Sequence, residues 1–321
     1  MIAETGRFAL ILAAMLALGV GTTSLTALQH PACRRWSGPA VALLTVLMAV
    51  ALASLTAAFV LHDFSLFYVV RHSSTTLPWP YRIAAVWGGH EGAMLLWVFL
   101  LCVWTLAVTL GLKPWTARTK ARALGILLWL VAGFLFFLLF ASDPFEHLLP
   151  AASEGRGLNP LLQNPAMAMH PPLLFLGTAG LAVPYALAVA ALLEDQCEPD
   201  WLHALHPWLA ASWGFLTLGI ALGAWWAYAE LGWGGWWSWD PVENAALMPW
   251  LAATALLHML AVSRQRGHFR HWVLLLALVP FLLVLLATFM VRSGILASVH
   301  AFAASPKRGV FLLILLALAG G

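Results

Sequence analysis

Charge is scarce in this 321-residue chain. Nine per cent of residues are Asp, Glu, Lys or Arg, 62% are hydrophobic, and mean hydropathy is +0.88. That balance excludes a soluble domain. The net charge is only +3 and is scattered over loops. It supplies no basic patch or stripe, so nucleic-acid binding is excluded as well. Cysteine is scarce too. Cys33, Cys102 and Cys197 stand alone, and no C-x-x-C pair occurs. A redox dithiol, a zinc knuckle and a C-x-x-C-H haem-attachment site are therefore ruled out. Any haem handled here is held without thioether bonds to the chain. What the sequence has in plenty is tryptophan, with 18, and histidine, with 12. Each ionisable group near a bilayer needs a reason.

A helical span needs roughly 20 mostly apolar residues. Such runs read at about residues 7–28, 39–61, 91–112, 122–141, 172–193, 208–229, 243–263 and 272–291. The expected fold is all-α, a polytopic integral membrane helical bundle of about eight complete spans in one domain. A ninth run starts near Gly309 and stops at Gly321, too short to cross a bilayer. It suggests a chain that ends mid-helix, with a short re-entrant tail as the alternative. The first run has only Glu4 and Arg7 before it, a poor signal-peptide n-region, and reads as a retained helix.

Alternating spans sort the loops into two sets. Arg34 and Arg35, then Lys113, Arg118, Lys120 and Arg122, then Arg264, Arg266 and Arg270 share one side, which the positive-inside rule makes cytoplasmic. The acidic loop with Glu194, Asp195, Glu198 and Asp200 falls on that same side and carries little weight in the rule. The longer loops at 62–90, 142–171, 230–242 and 292–308 face outward, and so does the N-terminus.

The most informative stretch lies in an outer loop. Residues 233–250 read WGGWWSWDPVENAALMPW. Trp233, Trp236, Trp237 and Trp239 crowd seven positions. Asp240 suits an N-cap, Pro241 the first helical position, and Glu243 completes a capping-box spacing. The segment is expected to be an aromatic loop entering a helix. Two readings stand for it: a platform for a large planar ligand, since indoles offer flat apolar faces with a polar rim, or an interfacial tryptophan belt. Residues 87–97, WGGHEGAMLLW, echo it. They read as a second wall of the same surface or as a weak internal duplication, with His90 a rival ligand.

Three histidines stand out. His170, in MHPPLLFLG, is expected at a rigid helix entrance fixed by Pro171 and Pro172. His300, in RSGILASVHAF, follows the span ending near Arg292. Two outward histidines converging on one face can ligate an iron from both sides; two interfacial histidines in contact with water are the plainer reading. His258 lies well inside a span, where a histidine pairs, relays protons or binds a cofactor. A hydrogen bond to a backbone carbonyl is the alternative. Arg71, Arg82 and Arg292 lie outside, where a guanidinium pairs with carboxylates such as haem propionates or snorkels at a helix end.

These segments carry a resemblance. WGGWWSWDPVENAALMPW resembles the tryptophan-rich "WWD" signature of the haem-handling membrane proteins of cytochrome c maturation, placed here at residues 230–243. YRIAAVWGGHEGAMLLWV, NPLLQNPAMAMHPPLLFLG and FMVRSGILASVHAF narrow it to the CcmF family, including its nitrite-reductase relative NrfE. The match runs from about residue 81 to 311. The resemblance implies a haem lyase component of the bacterial inner membrane with a periplasmic active face. It would take haem from the chaperone CcmE and position and reduce it for thioether attachment to apocytochrome c, with CcmH- and CcmI-type partners. Carried over residue by residue, His170 and His300 correspond to the outward haem ligands, with Trp233, Trp236, Trp237, Trp239, Asp240 and Arg292 as the cofactor-binding surface. His258 corresponds to one of two ligands of a separate haem b within the bilayer. The resemblance implies that the family's second membrane histidine lies in a C-terminal part beyond this sequence, which a separate chain could supply. The alternatives are a haem exporter of the CcmC kind, which shares the WWD motif, and a non-haem membrane transporter.

Overall fold

The computed structural model describes residues 1–26, 31–111, 116–194, 199–232, 234–266, 268–296, 298 and 305–321. In chain order the helices are α1 (Ile2–Thr26), α2 (Pro31–Val60), α3 (Phe67–His72), α4 (Trp79–Ala85), α5 (His90–Gly111), α6 (Ala117–Ala141), α7 (Pro165–Gly180), α8 (Ala182–Glu194), α9 (Pro199–Glu230), α10 (Pro241–Arg266), α11 (Arg270–Ser293) and α12 (Pro306–Gly320). Eight helical segments among the described residues are long and apolar enough to cross a membrane, α7 and α8 together making one of them. The protein is an all-α polytopic membrane bundle, as its hydropathy pattern predicts. Strand pairing among the described residues is limited to a single bridge, Leu66 with His147.

Local chemistry sets most helix boundaries. Thr116 caps α6 by accepting the Thr119 N–H, and Asn164 caps α7 by accepting the Ala166 N–H. Pro165, Pro241 and Pro306 open their helices at the first position, where no backbone donor is needed. Gly294, with φ of 80°, closes α11 in the left-handed region that a side chain disfavours.

One expectation is corrected here. His170 is not at a helix entrance. The Asn164 cap and Pro165 start α7 more than a turn earlier, so Pro171 and Pro172 lie inside the helix. The pair of prolines fixes the backbone around His170, but it does not begin the element.

Two of the loops assigned to the basic side are tied together. Arg118 Nε lies 2.9 Å from Glu194 Oε2, and Arg122 Nε bonds the other Glu194 oxygen. The start of α6 and the end of α8 therefore share one end of the bundle. Glu194 is the buried counter-ion of a basic side, which is why an acidic residue is tolerated there.

Within a bilayer, helices gain little from apolar burial and depend on close packing and satisfied polar groups. Two contacts do this. Between α9 and α10, Trp213 Nε1 donates to Thr254 Oγ1 and Trp250 Nε1 to Thr217 Oγ1, both at 2.8 Å. The two indoles stack with centroids 5.9 Å apart. Between α7 and α9, glycines let the backbones touch. A Cβ on Gly177 would stand 2.4 Å from Leu216 N, and one on Gly219 would stand 2.6 Å from Leu174 Cα. Backbone atoms cannot step aside cheaply, so the substitution Gly219→Leu is expected to destabilise the protein by about 1–3 kcal/mol. A thermal unfolding scan in detergent reads this as a lower midpoint; an unchanged midpoint would contradict the seam.

Candidate functional site

The outer end of the bundle is knitted by its loops. Phe67 N–H donates to Glu146 O, Leu148 N–H to Ser65 O, Arg156 N–H to Val70 O and Gly157 N–H to Ser73 O. Arg82 donates to the Leu77 and Thr75 carbonyls and holds this cap in shape. The WGGHEG turn packs beneath. Tyr68 Oη donates to Val86 O and accepts the Gly89 N–H, both at 3.0 Å. A Cβ on Gly89 would stand 2.3 Å from His72 Nε2. Only glycine fits there.

Below this cap lies a cavity of about 720 Å³, within the roughly 300–1,000 Å³ range of small-molecule sites. Trp87, Met94 and Trp97 from the WGGHEG segment form one wall, and His170, Leu174, Phe175 and Thr178 of α7 form another. Pro249 of α10, Ala287 and Thr288 of α11, and Trp226 complete it. The indoles are fixed by their N–H groups: Trp87 Nε1 donates to Ala168 O, Trp97 Nε1 to Thr178 Oγ1 and Trp226 Nε1 to Leu161 O. Their polar edges are thereby satisfied within the protein.

His170 is positioned by α9. Its Nδ1 lies 2.7 Å from Gly219 O. A carbonyl only accepts, so Nδ1 carries the proton and Nε2 the lone pair, the arrangement found in metal-bound histidines. The ring packs on Gly223, where a Cβ would stand 2.7 Å from Cε1. His72 also lines the cavity, with Nδ1 2.9 Å from Tyr68 O. Burial holds its pKa below the ordinary histidine value, so the ring is neutral at neutral pH. Its Nε2 abuts Gly89.

Residues 87–296 match the family model described as cytochrome C assembly protein. The chain belongs to the cytochrome c assembly family. Within that family it is similar to the cytochrome c-type biogenesis protein CcmF of Haemophilus influenzae, 47% identical over all of this chain and 50% of that protein. It is 52% identical to CcmF of Escherichia coli over 87% of this chain and 43% of that protein. The probable cytochrome c-type biogenesis protein NrfE of Escherichia coli is 48% identical over 91% of this chain and 53% of that one. A solved structure titled "Cytochrome c Heme Lyase CcmF" superposes with a TM-score of 0.84 and 32% identity, covering all of this chain and 50% of that one. The chain spans about half the length of the CcmF relatives it matches.

The tryptophan-rich segment before α10 enters its helix through the cap its sequence predicts. Asp240 Oδ1 accepts the Val242 N–H at 2.9 Å, and Glu243 Oε2 accepts the Asp240 N–H at 3.1 Å, a reciprocal cap. Gly232 and Gly234 take φ of 66° and 74°, and Trp239 takes 60°. Asn244 Nδ2 steadies that last, uncommon backbone by donating to Trp239 O. Trp236 stacks on Tyr228 with centroids 4.9 Å apart, and Trp237 meets Trp239 edge-on.

The predicted site residues are only partly brought together. His170 and Arg292 share the cavity; Trp236, Trp237, Trp239 and Asp240 are not in its lining and sit at the outer start of α10. Trp233 and His300 lie outside the described residues. Asp240 reaches toward the His300 segment, however, because Ser298 Oγ donates to Asp240 Oδ1 at 2.8 Å. His258 is exposed on the outer face of α10, with Nδ1 2.8 Å from Thr254 O. His90 is buried on the far side of α5, against Ser142 Oγ and the Phe137 ring. It is absent from the cavity lining. Sequence reasoning missed Arg156, His72 as a cavity residue, and the glycines under His170. The spacing of Gly219 and Gly223, four apart on a span, was the signal available for the last.

Asp240 joins the α10 cap to Ser298. Replacing it in Asp240→Ala is expected to cost about 1 kcal/mol and to speed proteolysis of the 232–240 loop. Unchanged cleavage kinetics would show that the cap does not order the loop.

Proposed function

We propose that this chain contributes the haem-handling part of a CcmF-type haem lyase in cytochrome c maturation. The single observation that carries this reading is His170. Its Nδ1 is held by the Gly219 carbonyl, and its ring borders a cavity of about 720 Å³ walled by Trp87, Trp97 and Trp226. The volume, the indole faces and the pinned imidazole together fit an iron porphyrin.

His300 is the proposed second axial ligand, with the Asp240–Ser298 bond anchoring its segment. Trp237 Nε1, buried with no hydrogen-bond partner among the described residues, is a group that needs one. It supports a role for Trp233, Trp236, Trp237 and Trp239 beyond a belt. The haem is substrate: it would arrive on CcmE and leave on a C-x-x-C-H segment of apocytochrome c brought by CcmH- and CcmI-type partners. The thiol addition belongs to haem and substrate, and the chain supplies position and exclusion of water.

His258 is proposed to hold one side of a second haem, haem b, within the bilayer. Its exposure on the outside of α10, with Nε2 as the lone-pair nitrogen, suits a second ligand from beyond this chain. This favours a lyase over an exporter of the CcmC kind, which needs no membrane haem. The active face and the N-terminus are periplasmic in this reading, at the inner membrane.

His170→Ala and His300→Ala are each expected to abolish cytochrome c assembly in a strain lacking its own copy. His170→Gly with added imidazole is expected to recover part of it. Haem staining of periplasmic c-type cytochromes is the readout, and a wild-type yield from either alanine variant would remove that residue from the ligand role.

A further inference from the structure

We propose that Arg71 and Arg156, with Arg292, form a rim that reads paired carboxylates at the outer end of the cavity. The ligand class is a flat apolar body with two carboxylates on one edge. The inference rests on the haem reading above and names the part of haem that the rim recognises, its propionates.

All three guanidinium-bearing residues line the one cavity, and its lining holds no Asp or Glu. A chain of hydrogen bonds and contacts links their neighbours. The Arg156 N–H donates to the carbonyl of Val70, the neighbour of Arg71, at 2.7 Å. Next comes His72, whose ring abuts Gly89. His90 follows, and its carbonyl accepts from Arg292 Nη1 at 3.1 Å. The remainder of the lining, from Met94 through Phe175 to Val284 and Ala287, is largely apolar. The lining therefore combines two exposed arginines and the buried Arg292 with a largely apolar remainder.

Nearby carboxylates are already engaged. Glu91 pairs with Arg308. Glu154 accepts from the Thr75 hydroxyl and the Thr75 and Gly155 amides. Among the described residues no acidic side chain pairs with Arg71 or Arg156. Arg71 and Arg156, without acidic partners among the described residues, gain bidentate hydrogen bonds and charge neutralisation from a dianionic ligand. His72 is neutral by burial, which leaves the positive charge to the guanidinium groups. Arg71 and Arg156 are exposed, so they can be changed without opening the core.

The test measures binding of ferric protoporphyrin IX and of its dimethyl ester, in which both carboxylates are capped. The chain is used in its isolated membrane complex, in phosphatidylcholine nanodiscs. The wild type is expected to prefer the diacid by about tenfold or more. The double variant Arg71→Gln/Arg156→Gln is expected to lose that preference while binding the diester as the wild type does, with an unchanged melting temperature. Equal binding of the two porphyrins by the wild type would overturn the rim, and so would a preference that survives the double substitution. Either result leaves the haem reading standing. Failure to bind both porphyrins would remove the haem reading and the rim with it. Loss of the diacid preference when phosphatidylglycerol is added would assign the rim to lipid phosphate and overturn the proposal.

Discussion

The close approach of α7 to α9 is the constraint on which the site depends. His170, Leu174 and Gly177 share one face of α7; Leu216, Gly219 and Gly223 share one face of α9. They meet in antiparallel order, His170 against Gly223, Leu174 against Gly219 and Gly177 against Leu216. The glycines serve both the packing and the chemistry. They bring the helices to backbone contact, and they leave the Gly219 carbonyl where it can hold the His170 Nδ1 proton. A larger residue at 219 or 223 would widen the seam and turn the imidazole. In a bilayer no hydrophobic force would draw the helices back together.

The rest of the polar chemistry follows from the same medium. Lipid offers no hydrogen bonds, so each buried indole and hydroxyl is satisfied within the protein. Trp87, Trp97 and Trp226 spend their N–H groups on the cavity wall, and Trp213 and Trp250 spend theirs on the α9–α10 contact. That contact reaches His258 through Thr254, whose hydroxyl accepts from Trp213 and whose carbonyl lies 2.8 Å from the His258 Nδ1. Thus two histidines, one facing an internal cavity and one facing outward, are both set by helix backbone carbonyls.

Much of this was legible in the residues. Eight apolar runs became eight helical spans, and the D-P-x-E signature became a reciprocal cap at Asp240 and Glu243. The WGGHEG segment lines the cavity, but not as a second wall beside the WWD segment, whose Trp236, Trp237 and Trp239 are not in that lining. Other features were hidden for physical reasons. The start of α7 was misplaced because two prolines at 171 and 172 look like a helix entrance; the Asn164–Pro165 cap, seven residues earlier, governs instead. Arg156 sits in an irregular loop with no periodicity, and only the hydrogen bond from its N–H to Val70 O brings it beside Arg71. Trp236, Trp237 and Trp239 are not in the cavity lining, a placement that residue types alone do not reveal.

The central claim is that a substrate haem sits against His170 in the cavity between α5, α7 and α11. An electron cryomicroscopy reconstruction of the haem-loaded membrane complex tests it most directly. The account predicts porphyrin density walled by Trp87 and Trp97, with the iron bonded to His170 Nε2 while Nδ1 stays on the Gly219 carbonyl. Porphyrin bound elsewhere, with the His170 imidazole turned away from its iron, would contradict it.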